Sequence, residues 1–162
     1  MSAESIPLPD PYANPAGHLH AHRRRLQRAE TDMAGAFLYD AAPTLRLVWP
    51  TAARVVFDRA DRDRLHPLTF RRIEDARGAT VVSVEGAEAL DGDPAELWGI
   101  ALHEILAAIR HWNAGAVPGD RPWHIDVRHS SAGDRPPYVC VVTLPPAHPP
   151  GLTHPARTRP QG

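Results

Sequence analysis

Apolar residues recur at helical spacing in two long stretches, and at strand spacing between them and again after the second. Leu19, Leu26, Ala29, Met33 and Phe37 fall on one stripe at intervals of seven, three, four and four, which predicts an amphipathic helix over residues 15–40. Asn14 stands as its N-cap and Pro15 at its first helical position, where a missing N–H costs nothing. Ala41-Ala42-Pro43 reads as its stop. Thr44 to Trp49 alternates, with Leu45, Leu47 and Trp49 on one side, and predicts a strand broken by Pro50. Arg54 to Phe57 is a second short strand and residues 58–66 a charged connection. Leu68 to Glu74 and Thr80 to Glu85 read as a hairpin turning through Ala76-Arg77-Gly78.

The widest apolar face follows. Leu97, Trp98, Ala101, Leu102, Ile105, Ala108, Ile109 and Trp112 recur at helical period and predict a helix over 94–113. Asp93 is its expected N-cap, Pro94 opens its first turn and Glu96 is placed for the return bond of a capping box. Twenty residues at 1.5 Å each give roughly 30 Å, enough to cross a small sheet. Trp123 to His129 alternates as a half-buried strand does, whereas Tyr138 to Leu144 is almost continuously apolar, the pattern of a central strand covered on both faces.

Strands that arrive as hairpins, without a repeated βαβ rhythm, imply an α+β fold. The expectation is an antiparallel sheet of about five or six strands covered by one long helix (94–113). An N-terminal helix (15–40) precedes it at the periphery of a single domain spanning 14–146. Proline makes up 18 of the 162 residues and gathers at both ends, so residues 1–13 and 147–162 are expected to be disordered.

Composition narrows the class. Eighteen basic and nineteen acidic residues leave a net charge of −1, so no global field commits the chain to DNA or to a membrane surface. The single cysteine excludes an internal disulfide and any multi-cysteine zinc site. The first residues show no basic, apolar signal pattern, and no apolar run approaches the ~20 residues that span a bilayer. A cytoplasmic protein is expected. All 18 basic residues are arginine; arginine, alanine, proline and glycine have GC-rich codons, so the bias of a high-GC bacterial genome accounts for this. A lysine-free chain has no side-chain amine for Schiff-base chemistry, and every cation is a planar fork.

Few residues suggest catalysis. There is no GxGxxG, no GxxxxGK[ST] and no GxSxG. His18 and His22 have chelating i, i+4 spacing, but Arg23, Arg24 and Arg25 follow at once and repel a cation. His103 and Glu104 do not form HExxH, because Ala107 occupies the closing position. Asp58, Asp61 and Asp63 lack the glycine and closing glutamate of a calcium loop. No cofactor and no metal are expected. Cys140, between valines, reads as a small buried hydrophobe. His124, Asp126 and Arg128 share one face of a strand about 7 Å apart, a row that could bind an anion or supply acid–base chemistry.

The strongest charge signal is Arg23, Arg24, Arg25 and Arg28. Residues 18–77 carry twelve arginines against eight acids, a net charge of +4, and residues 79–126 two against eight, a net charge of −6. The cluster can meet phosphates or the acidic half of this chain or of another copy. Trp49, Trp98, Trp112 and Trp123 add large aromatic surface of the kind favoured at interfaces. The leading expectation is therefore a non-enzymatic accessory or regulatory module acting through a protein partner or as a homo-oligomer. A nucleic-acid-binding protein using the Arg23–Arg28 helix is the first alternative, and a small enzyme built on His124, Asp126 and Arg128 the second.

Overall fold

A computed structural model of the chain describes residues 15–59, 68–112, 121–130 and 138–147. The expectations for residues 1–14, the Asn14 N-cap among them, and for 60–67, 113–120, 131–137 and 148–162 lie outside these. The element order is α1 (Pro15–Val48), β1 (Arg54–Arg59), β2 (Leu68–Glu74), β3 (Thr80–Ser83), α2 (Val84–Glu88), α3 (Gly92–His111), β4 (His124–His129) and β5 (Tyr138–Thr143). The five strands form one antiparallel sheet in the order β3-β2-β1-β5-β4. After α3 the chain returns to pair β5 beside β1, so the last hairpin completes the centre of the sheet and leaves β4 at its edge. The architecture is α+β, as the hairpin pattern implied.

The first helix differs from its expected form. It runs to Val48 and includes Pro43, so the segment from Thr44 to Val48 is helical rather than a strand; among the described residues the sheet has five strands, within the expected five or six. A proline inside a helix costs about 3 kcal/mol through its lost N–H and its clash one turn back. Burial around it offsets that cost: Leu38, Ala41, Ala42 and Leu45 are essentially inaccessible, at spacings of three, one and three. Leu47, which the alternating reading placed beside Leu45, is 72% exposed. The final turn is held by Arg46, whose Nε donates to the Ala52 carbonyl at 3.1 Å and Nη2 to the Pro145 carbonyl at 2.8 Å. Pro50, not Pro43, follows the helix end.

Both long helices cover one face of the sheet, which corrects the single covering helix expected. Their side chains join Val55, Phe57, Ile73, Ile125, Cys140 and Val142 in one core. A ladder of rings crosses the layers: Phe57 to Phe70 at 6.3 Å, Phe70 to Trp98 at 4.9 Å and Trp98 to Trp49 at 5.4 Å, all edge to face, the arrangement the ring quadrupoles favour. Trp123 is buried, and Trp49, Trp98 and Trp112 pack against the same core, so the tryptophans serve the interior.

On the opposite face Val56, Val139 and Val141 form a second, smaller buried cluster. Arg72 meets Glu74 at 2.7 Å, Arg54 meets Glu74 at 3.5 Å and Arg71 meets Asp58 at 3.1 Å. Strand β5 is thus buried on both sides, as its continuous apolar run predicted. Among the described residues no buried side-chain nitrogen or oxygen lacks a partner.

Local chemistry explains the remaining boundaries. The β2–β3 turn closes where the Asp75 carboxylate accepts the N–H groups of Arg77 and Ala79 at 2.8 and 2.9 Å, with Gly78 at φ +86°, a conformation that glycine adopts without steric cost. The expected strand 80–85 ends at Ser83, and a short helix begins at Val84. The 94–113 helix starts two residues early, at Gly92, and ends at His111. Asp91, not Asp93, is its N-cap, and no side-chain capping bond forms, so the expected capping box is absent.

Candidate functional site

The expected site residues lie in two places. Arg23, Arg24, Arg25 and Arg28 are all exposed on the first half of α1. No residue from Pro15 to Glu30 is buried, whereas Thr31, Ala34, Gly35, Leu38, Ala41, Ala42 and Leu45 turn the second half into the core. The core side of α1 is therefore made largely of small residues. The stripe that the periodicity singled out points outward: Leu19 is 56%, Leu26 63% and Met33 49% exposed. Only Phe37 of that stripe packs inward, its ring stacked on His111 at 5.5 Å. At 1.5 Å per residue the unburied part is an arm about 24 Å long.

The arm gains little stability from its own sequence. It has no acidic residue in its first turn, and Arg24 and Arg28 are like charges one turn apart, a destabilising spacing. An isolated helix of this length is marginal in water. An apolar stripe set among exposed guanidinium groups is suited to a protein surface that offers both apolar area and carboxylates.

The second place is the outer face of β4. His124, Asp126 and Arg128 are exposed there and face Thr143, Val141 and Val139 across the ladder. Their cross-strand neighbours thus add no second acid or base, and β4 is an edge strand. Charged side chains on an edge discourage unwanted pairing with other strands, a role the row fulfils as it stands. His18, His20 and His22 are exposed on the arm, and the described residues hold no group of three or more metal-ligating side chains.

Two concavities among the described residues went unnoticed in the sequence. One is a shallow groove, open to solvent, along the outside of α3, lined by Glu96, Gly99, Ile100, His103 and Glu104. Spacings of three and four put these residues on one helix face, and Ile100 is 55% exposed. A Cβ at Gly99 would meet nothing within 4 Å, so no contact among the described residues requires glycine there. The other, of about 430 Å³, lies between Tyr39, Pro43, Arg46, Pro122 and Pro145. Arg46 lines it while already bonded to two carbonyls, and burial lowers its pKa.

Cys140 is buried, and desolvation pushes its thiol up to about 12. The Arg59 charge opposes this shift and Asp126 adds to it. A thiol reagent should therefore label the native protein slowly, with no rise in rate as pH passes through 8–9, where a free cysteine ionises. Rapid labelling that follows such a titration would contradict the burial of β5.

No family model, curated protein or solved structure matches this chain. Among the described residues no helix is long and apolar enough to cross a membrane.

Proposed function

We propose that this chain is a non-enzymatic accessory or regulatory module that works by binding protein through the arm of α1. The observation that carries the reading is the outward pair Leu19 and Leu26 on a helical segment, 15–30, with no buried residue of its own, continued by exposed Met33 just beyond it. These side chains are 49–63% exposed, so covering what remains of each is worth about 1–1.5 kcal/mol, and the same contact would supply the support that an isolated arginine-rich helix lacks. A cytoplasmic location accompanies this reading, because Cys140 is a buried free thiol and the fold calls on no oxidising compartment.

The competing reading gives the arginines to phosphate. Each neutralised phosphate releases counterions, so binding of that kind falls steeply as salt rises. Titration of the full chain at low salt with duplex DNA, single-stranded DNA and RNA separates the two. We expect no tight binding, either by the native chain or by a variant carrying Arg→Ala at 23, 24, 25 and 28. Tight, salt-sensitive binding that this variant loses would overturn the protein-binding reading.

A further inference from the structure

We infer that the partner is a second copy of this chain, and that the α1 arm of one copy lies in the groove on the outer face of α3 of the other. The inference rests on the protein-binding reading above and names its partner.

The charges match. From Pro15 to Glu30 the arm carries four arginines and one acid. Residues 84–104, which build α2 and the outer half of α3, carry six acids and no arginine. Within the groove, Glu96 and Glu104 flank Ile100 one turn to either side, so carboxylates bracket an apolar centre. The arm presents the complement, with Leu19 and Leu26 in line, guanidinium groups around them and Met33 extending the line just past its base.

The arm cannot reach the groove of its own chain. Helices α1 and α3 run antiparallel, fixed by the Trp49–Trp98 contact at one end and the Phe37–His111 contact at the other. Leu26 lies eleven residues before Phe37 and so projects roughly 16 Å past the end of α3, while Ile100 lies roughly 16 Å back from His111. Some 30 Å of axial distance therefore separates arm and groove along rigid helices, and the complement has to come from another molecule.

Gly99 supports the same conclusion. Glycine inside a helix costs about 1 kcal/mol relative to alanine, and none of the described residues occupies the space above this one. A missing side chain in the floor of a groove lets another helix approach closely. Reciprocal exchange about a two-fold axis would use both arms and both grooves and close at two copies.

Sedimentation equilibrium of the full chain should find a dimer. Reversing Arg23, Arg24, Arg25 and Arg28 to Glu should weaken it by about 100-fold, because like charges then face each other across the contact. A chain with Glu96→Arg and Glu104→Arg, also weak alone, should pair with that variant when the two are mixed. Proximity is checked by mixing Leu26→Cys chains with Ile100→Cys chains and adding a short bismaleimide. Both positions are exposed, so neither change threatens the fold, and Cys140 is shielded. Cross-links are expected between the two kinds of chain; cross-links joining only Leu26→Cys chains to each other would overturn the inference. A native chain that stays monomeric and binds no nucleic acid also overturns it, yet leaves a different protein partner open. Nucleic-acid binding lost with the arginines overturns both readings.

Discussion

Truncation of Phe57 to alanine is expected to cost about 3–5 kcal/mol, the range for deleting a buried phenyl ring. Phe57 is 1% exposed in the middle of the central strand, opposite Phe70 on one side and Cys140 on the other. Its ring begins the aromatic ladder that continues through Phe70 and Trp98 to Trp49, so the cavity would open where sheet, α3 and the end of α1 meet. Typical domains are stable by only 5–15 kcal/mol, and the loss should lower the thermal midpoint by on the order of 10 °C or more. The near-ultraviolet circular dichroism of the native variant should change too, because Phe70, on which Trp98 packs, loses the ring beside it. A Val56→Ala change on the opposite face removes less apolar volume from a three-residue cluster and should cost clearly less. Equal losses at both sites would mean that the ring ladder does not tie the layers together.

The sheet was legible because its strands obey local rules. β2 and β3 flank a turn that Ala76-Arg77-Gly78 announces, and β4 alternates because one side faces the helices while the other is exposed. The continuous apolar run of β5 follows from its place between β1 and β4, with valine clusters on both faces. In each case the residue pattern and the environment have the same period.

The first helix was misread where those periods compete. Leu45, Leu47 and Trp49 alternate, and Pro43 precedes them, so a strand after a helix stop is the local solution. What overrides it is tertiary: Leu38, Ala41, Ala42 and Leu45 bury together only if the helix continues through the proline. The large apolar residues of the same helix misled in a second way. Leu19, Leu26 and Met33 define the more obvious stripe, but the core takes the small side of the helix, because small residues admit a close neighbour. A pattern of hydrophobicity cannot distinguish a stripe that faces its own core from one that faces a partner.

The candidate site was half legible for a related reason. The arginine cluster and the acidic segment are visible as charge along the chain, and their separation raises the prospect of one copy meeting another. The α3 groove is not visible in that way, since its definition depends on Gly99 leaving space and on Ile100 remaining uncovered, both properties of the fold. The row of His124, Asp126 and Arg128 was legible as a row. Its neighbours were not, because register places Thr143, Val141 and Val139 opposite it.

Gly35→Ala is expected to destabilise the protein by about 1–3 kcal/mol, the usual cost of overpacking, although alanine is the better helix former. A Cβ at Gly35 would stand 2.9 Å from Trp123 Nε1 and 3.0 Å from two carbons of the same indole, and Trp123 is only 5% exposed, so the ring has little room to retreat. The segment leading into β4 clasps α1 at this point. Trp123 lies on the bare backbone of Gly35, Arg121 sits 5.5 Å from the indole centroid, and its guanidinium reaches Asp32 at 3.1 Å. The Asp32–Arg121 pair is exposed enough to contribute no more than about 1 kcal/mol, so the ring does most of the holding, and Trp123→Ala alone should cost about 3–5 kcal/mol. The two effects are coupled through one contact. With the indole removed, the new methyl group at residue 35 meets open space and only the helix propensity remains, worth about 1 kcal/mol in favour of alanine. Chemical denaturation of the native chain, both single variants and the double variant should therefore show Gly35→Ala changing sign, from destabilising beside Trp123 to neutral or stabilising beside Ala at 123. Additive losses in that cycle would show that Gly35 and Trp123 act independently, and the clasp would have to be sought elsewhere on α1.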